Sequence, residues 1–474
     1  MKFISSNITL RPILAGVLGL ASLLVLGSSR ASAQLFTPGD LIVSTYGNPT
    51  GTGITDGEVT PITLNEYALA TPTSASLVLA DTLPTTGTGS NVGIVGEYGS
   101  SSEGTIQLSG NGEYLTIGGY DGNLAANGIQ PQTDTDNGDH FATGTPYSVS
   151  TIAVAQSAAS DLPRVAATID ANGNVNTSTV LNDVYNTNNP RAVYSPDGTS
   201  FYISGQGAGK TDEGGIYATT LGTNTTTGGA APTPIYNVVS TREVTVYNGN
   251  TYYSADQNSS KKGTQTGIFE YTGTPGTSQG SNTGTLITPA SGKVNGTTVN
   301  FSPQSFVFAN PTTLYVADTG DPKAGGTGDG GIQKWLYSNG AWSLAYTLTD
   351  ANFVSPASAT TATDGETGFE ALALKLVGGN ADLYAVSYTA GDADPNGLYA
   401  IVDNLAATTL PTGSDTETFT ELEAASGSSN ANGTDQNFKG LSFAPEAVPE
   451  PSTWLMLGAS LLVLLAIRHR TQAS

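Results

Sequence analysis

The sequence predicts an all-β fold, a closed β-propeller of six blades with the terminal blade shared by the two ends of the chain. Three observations carry this. Glycine (59 residues), proline (24) and clusters of Ser, Thr and Asn punctuate the chain every few residues, and such punctuation ends helices and makes turns. Between the clusters lie short segments rich in Val, Ile, Thr, Tyr and Phe, the residue types that fit a pleated sheet. These segments recur as a repeating unit, and the two ends of the body carry complementary fragments of that unit.

The repeat is clearest in the middle of the body. Arg191–Tyr194, a turn at Asp197-Gly198, Phe201–Ser204, a loop, then Gly215-Ile216-Tyr217 make one copy. The pattern returns as Val244–Tyr247, Tyr252–Ser254 and Gly267–Phe269, again as Phe306–Phe308, Leu314–Ala317 and Gly331–Gln333, and again as Leu372–Leu374, Leu383–Val386 and Gly397–Tyr399. Tyr202, Tyr252, Tyr315 and Tyr384 hold successive equivalent positions. An earlier copy runs Thr105–Leu108, Tyr114–Ile117, Arg164–Ile169 and Thr179–Leu181 around a long insertion. Phe438–Pro445 reads as a first strand with no second after it, and Asp40–Ser44 as a second strand with none before it. A ring of sheets closed by a shared blade leaves no long unpaired edge. The units fall at about 100–186, 189–240, 241–290, 300–350 and 365–422, and the first is long enough to hold a seventh blade. A β-solenoid predicts shorter, stricter repeats, and tandem sandwiches do not explain the matching half-units.

Both ends of the chain carry targeting signals. Lys2 and Arg11, the apolar run Ile13–Leu26, and Ala31-Ser32-Ala33 form the charged, hydrophobic and small-residue regions of a secretory signal peptide, with cleavage by signal peptidase expected after Ala33. The run is short for a bilayer span of roughly 20 residues. At the other end, Pro449-Glu450-Pro451 precedes the apolar stretch Trp454–Ile467 and the basic Arg468-His469-Arg470. The prolines fix an extended segment. The apolar stretch enters the membrane as a short transmembrane segment, and the basic cluster stays on the cytoplasmic side. Order, spacing and position resemble the PEP-CTERM sorting signal of Gram-negative bacteria. The resemblance implies processing by an exosortase and delivery to the envelope, cell surface or extracellular matrix. The expected domains are a signal peptide at 1–33, the propeller at 34–446 and the sorting tail at 447–474.

Charge and composition exclude several functions. The chain has 16 basic and 39 acidic residues, a net charge of −23, so it repels nucleic acid and anionic surfaces. It has no cysteine, which removes thiol nucleophiles, Cys–Zn sites and haem attachment through thioethers. A body of this size builds a sufficient core without disulfides. His140 is the single histidine between the two signals, too few for a histidine triad or a multi-histidine metal centre.

The remaining candidates are acidic or polar. Asp392, Asp394, Asn396 and Gly397 follow the alternating-oxygen spacing of a Ca²⁺ loop, with Asp403 at the twelfth position. Flanking helices are absent, Asp403 falls on the far side of a strand, and equivalent loops lack the pattern. A solvated acidic loop is therefore the plainer reading, and no cofactor is expected. Asp134, Asp136, Asp139 and His140 form a second acidic cluster in the long insertion. Gln304, Glu370 and Lys439 occupy one position, just before three first strands, with Arg191, Arg242 and Glu243 near it in two others. First strands line a propeller's channel, so these groups ring one mouth, either as a ligand site or as a structural ring of ion pairs. Tyr98, Tyr120, Trp335 and Trp342 are candidates for stacking on sugars, or for packing within strands. The leading expectation is a non-enzymatic envelope or matrix protein whose propeller binds exopolysaccharide or other envelope components. The alternative is a secreted glycosidase or lyase working through carboxylates.

Overall fold

Glycine turns and β-branched strands produce six antiparallel sheets of the same design. The computed structural model describes residues 35–447 apart from 48–56, 58, 101, 124–129, 132–140, 144–147, 150–153, 208–213, 237–239, 260–262, 272–284, 289–290, 295–296, 321–329, 355–364, 390–395 and 426–435. From the innermost strand outward, the first blade is Gln436–Phe443, Leu41–Gly47, Ile62–Thr71 and Ser74–Thr82. The third is Pro190–Tyr194, Ser200–Gly205, Gly215–Thr220 and Thr233–Tyr236; the fourth is Thr241–Tyr247, Asn250–Ser259, Gly263–Tyr271 and Thr285–Leu286. The fifth is Pro303–Asn310, Thr313–Asp318, Gly331–Ser338 and Ala341–Leu348, and the sixth is Glu366–Val377, Asn380–Thr389, Gly397–Asn404 and Thr420–Ala424.

The second blade departs from the pattern. Its strands Tyr114–Asp121, Arg164–Asp170 and Val175–Leu181 are regular, but two short segments divide its inner edge. Gln107–Leu108 pairs with Thr116 and Leu115, and Ile94–Glu97 pairs with Asp121 and Tyr120 further along. Gln107–Leu108 lies within the strand expected at Thr105–Leu108, whereas Ile94–Glu97 has no counterpart in the repeat pattern. Among its described residues the long insertion holds the short strands Gln130–Pro131, Phe141–Thr143 and Ser148–Val149 and a 3-10 turn at Val154–Gln156. The propeller has six blades.

Closure of the ring is visible in the core. Six buried apolar clusters each lie between two neighbouring blades. Ile42, Leu64, Leu115 and Ile117 join the first to the second, and Ala166, Leu181, Val193 and Phe201 the second to the third. Ile216, Val244 and Tyr253 continue to the fourth, Ile268, Leu314 and Trp335 to the fifth, Tyr315, Ile332, Phe369 and Leu383 to the sixth. Leu41, Val43, Tyr384 and Leu398 return to the first. Each sheet is therefore covered on both faces, which explains why strands such as Leu41–Gly47 are buried at every residue. The predicted shared blade is present: Val43 faces Leu441 and Leu41 faces Phe443 in an antiparallel ladder.

Residues 36–446 form one compact unit. Both targeting signals, including Ala31, Ala33, Pro449, Glu450, Pro451 and the apolar stretch, lie outside the described residues. Among the described residues no helix is long and apolar enough to cross a membrane.

Candidate functional site

The polar positions singled out in the sequence sit at a shared backbone irregularity. In five inner strands the pairing slips at the same place, so residues on the inner strand outnumber those opposite. Arg191-Ala192 oppose Ser204, Arg242-Glu243 oppose Ser254, and Gln304-Ser305 oppose Ala317. Glu370 and Lys439 are each the extra residue in their ladders. A β-bulge of this kind bends the strand and re-aims a side chain. The residues are thus inside the first strands rather than just before them, and all six polar side chains are buried.

Three of the bulges are pinned by hydroxyl groups on the second strands. Ser44 Oγ accepts from Gly440 N at 2.7 Å and donates to Gly104 O in the next blade at 2.5 Å. Ser204 Oγ accepts from Ala192 N at 3.2 Å and donates to Arg242 O of the next blade. Ser254 Oγ accepts from Glu243 N at 2.9 Å and donates to Gln304 O at 2.6 Å. One serine hydroxyl thus satisfies two buried backbone groups in neighbouring blades, where each would be costly to leave unpaired. Gly104 has φ +77, and a Cβ there would lie 2.6 Å from Lys439 Cβ, so the close approach of the segment before Gln107–Leu108 to the closing strand requires glycine.

Side chains then link the blades around the axis. Glu243 Oε1 accepts from Gln107 Nε2 and its Oε2 from Phe306 N, both at 3.2 Å, connecting the second, fourth and fifth blades. Burial pushes its carboxyl up to about 7, against the smaller effect of hydrogen bonds from Ser305, Phe306 and Gln107. Glu103 accepts from Tyr120 OH at 2.5 Å and Glu97 N at 3.1 Å, and burial likewise raises it to about 7 despite the positive charges of Arg164 and Lys439. Arg191 donates to Ser240 Oγ at 2.9 Å, Thr241 O at 3.2 Å and Gln206 Oε1 at 2.5 Å. Burial, then the neighbouring Arg242, lowers it to about 9. Arg242 lies 3.6 Å from Asp256 Oδ2.

Glu370 meets a different partner set. Asn396 Nδ2 stands 3.5 Å from Glu370 Oε1 and donates to Ser387 O at 2.8 Å and Phe438 O at 2.9 Å, while its Oδ1 accepts from Phe438 N at 2.8 Å. Asn396 therefore clamps the sixth blade to the closing strand. Asp392 and Asp394 lie outside the described residues, as does the cluster from Asp134 to His140. Asp403 is fully buried and holds Lys334, Tyr315 and Tyr346. Among the described residues no three acidic or histidine side chains are grouped to hold a metal.

Beyond the bulges the channel opens into a cavity of about 240 Å³, lined by inner strands of every blade except the third. Glu243, Gln107 and Ser305 form its polar part, and Phe308, Leu374, Leu441 and Phe443 belong to its apolar part. This volume lies below the roughly 300–1,000 Å³ of drug-sized ligand sites. Of the aromatics proposed for stacking, Tyr98, Tyr120 and Trp335 are core residues. Trp342 is half-buried, 5.4 Å from Tyr337 and 6.0 Å from Phe308 between ring centres.

The PEP-CTERM protein-sorting motif matches residues 447–470. The chain is thus an exosortase-sorted exported protein with a propeller body. No curated protein sequence matches it. Among solved structures it is similar to dipeptidyl peptidase 4 of Porphyromonas gingivalis at 9% identity, covering 79% of this chain and 50% of that one, with a TM-score of 0.31. The chain spans half the length of that enzyme. It is also similar to apo AztD of Citrobacter koseri (11% identity, 81% and 70% covered, TM-score 0.26). A third likeness is to a PL25 ulvan lyase bound to -[GlcA(1-4)Rha3S]- (11% identity, 81% and 96% covered, TM-score 0.27). The architecture stands on the strand pairing above, and none of these likenesses adds to it.

Proposed function

We propose that the body acts at the cell surface or in the extracellular matrix as a non-enzymatic propeller that presents a binding surface to exopolysaccharide or other envelope components. The observation that carries this reading is the state of the channel's ionisable groups. Glu243, Glu103 and Arg191 are bonded to protein groups in their own and neighbouring blades. A general acid and base need oxygens within reach of a substrate. Here both Glu243 oxygens serve Gln107 and Phe306. The groups act as struts that hold the second to fifth blades in register, and recognition falls to the outer surface. The export and sorting signals agree with such a role, because a rigid β body suits a site outside the cell.

A glycan array probed with the purified body tests this, followed by incubation with each bound polysaccharide. Retention without change in chain length is the expected result. Release of shortened or unsaturated products, abolished by Glu243→Gln, would overturn it in favour of a carboxylate-based glycosidase or lyase.

A further inference from the structure

Between the fifth and sixth blades a lysine and an aspartate touch in a dry setting. Lys334 lies on Gly331–Ser338 and Asp403 on Gly397–Asn404, and Nζ stands 2.7 Å from Oδ2 with both side chains fully buried. Tyr315 OH donates to Asp403 Oδ2 and Tyr346 OH to Oδ1 at 2.5 Å. Lys334 Nζ also reaches Tyr346 OH at 2.9 Å and Asn404 O at 2.8 Å, and lies 5.6 and 5.2 Å from the Tyr315 and Tyr346 ring centres. Leu383, Ile401 and Phe419 belong to the surrounding apolar cluster. Glu417 stands beside the pair. Its Oε1 accepts from Asn404 N at 2.9 Å, and a hydrogen bond ties its carboxyl to that of Asp403. Burial raises the Glu417 carboxyl to about 7, and the Asp403 carboxylate next to it acts in the same direction.

Taking two such charges out of water costs several kcal/mol each, and well-packed apolar residues would often serve stability as well. The arrangement does, however, match what a condensation needs. We propose that Lys334 and Asp403 form an intramolecular amide bond, with Tyr315 and Tyr346 polarising the carboxyl group and Glu417 relaying the proton.

Every atom of the step has a place. The Lys334 ammonium passes a proton to the Asp403 carboxylate, giving an amine and a carboxylic acid. The amine lone pair bonds to Cγ, Tyr346 OH holds the resulting oxyanion at Oδ1 as a preorganised donor does in acyl transfer, and Tyr315 OH stays on Oδ2, the oxygen that takes the lysine proton and leaves. Glu417 takes one proton from the nitrogen and delivers one to the leaving hydroxyl, acting as acid and base in turn. The Cγ–O bond breaks, the carbonyl reforms, and one water leaves. No oxidant or activated group is needed. Contact supplies a high effective concentration, and the dry surroundings disfavour the return of water. The product ties two blades covalently in an exported chain that has no cysteine with which to do so.

Tryptic mapping of the folded, exported chain after urea denaturation decides the matter. Trypsin cuts after Lys323, Lys334, Lys375 and Lys439. With the bond present, cleavage after Lys334 is lost, and 324–375 appears joined to 376–439 at about 18 Da, one water, below the summed mass. Glu417→Gln should fold and give the unlinked peptides 324–334, 335–375 and 376–439. Lys334→Arg should also give unlinked peptides. Wild-type protein that yields those peptides at full mass would overturn the proposal, and a link that persists in Glu417→Gln would overturn the role given to that residue.

Discussion

Glu243 makes the channel sensitive to pH in a way whose sign is fixed by its burial. In the folded body its carboxyl is held to about 7, whereas an ordinary glutamate loses its proton near 4.5. Between those values the native state binds the extra proton, so stability contributed by Glu243 is complete below pH 4.5 and is lost as pH rises through 7. The separation corresponds to a loss on the order of 3 kcal/mol at about 1.4 kcal/mol per pKa unit. Urea unfolding of the body at pH 5, 6, 7 and 8 measures the effect, with Glu243→Gln as the reference. A glutamine amide does not titrate, so the difference between the two proteins isolates Glu243 from Glu103, whose carboxyl is shifted in the same direction. The stability of wild type relative to the variant should fall by that amount across the series. A difference that stays flat, or rises with pH, would refute the assignment of a neutral buried acid.

Three further outcomes follow from the same geometry. Ser44→Ala strands the buried Gly440 N–H and Gly104 carbonyl together, and should cost roughly 2–6 kcal/mol in urea unfolding, at about 1–3 per unpaired group. Asn396→Ala removes both hydrogen bonds to Phe438. The closing strand 436–443 should then exchange its amide hydrogens faster than in wild type while the ladder between Leu41–Gly47 and Ile62–Thr71 stays protected, read by hydrogen-exchange mass spectrometry. Glu450→Ala should leave the sorting tail attached in a host that has its exosortase, read as the intact tail mass in the envelope fraction.

The repeat was legible because each blade spends the same residue types on the same job. Tyr202, Tyr252, Tyr315 and Tyr384 all stand on second strands, as their spacing implied, and the fragments at the two ends pair as complementary halves. The bulges were visible only as polar residues at one repeat position. A bulge is a property of register between two strands, and the serine that pins it belongs to the partner. Ser204 and Ser254 stood in the repeat without a role until their next-blade acceptors were known. Lys334 and Asp403 lie 69 residues apart and share no local pattern. The available signal was negative: a lysine between Gln333 and Trp335 in a strand covered on both faces, and an aspartate after Ala400-Ile401-Val402. Trp335 misled in the opposite sense, since nothing local distinguishes a core tryptophan from one that stacks on a ligand.

Ring closure and sorting share a boundary that the body's own bonds define. Ser44 and Gly440, joined at the bulge, are separated by 396 residues of chain, so the first blade keeps an open inner edge until 436–443 is in place. Open edges invite pairing with other chains, and contacts this distant in sequence form slowly. The closing strand answers with Phe438 against Tyr67, at 6.5 Å between ring centres, and with the Asn396 clamp. The attachments continue to Ala444 N on Asp40 O at 2.9 Å and Glu446 N on Gly112 O at 2.8 Å. The sorting motif begins at residue 447. A cut at Pro449-Glu450-Pro451 consequently breaks none of these bonds. A body completed by its last strand can be released from its tail without reopening the edge that the strand was needed to cover.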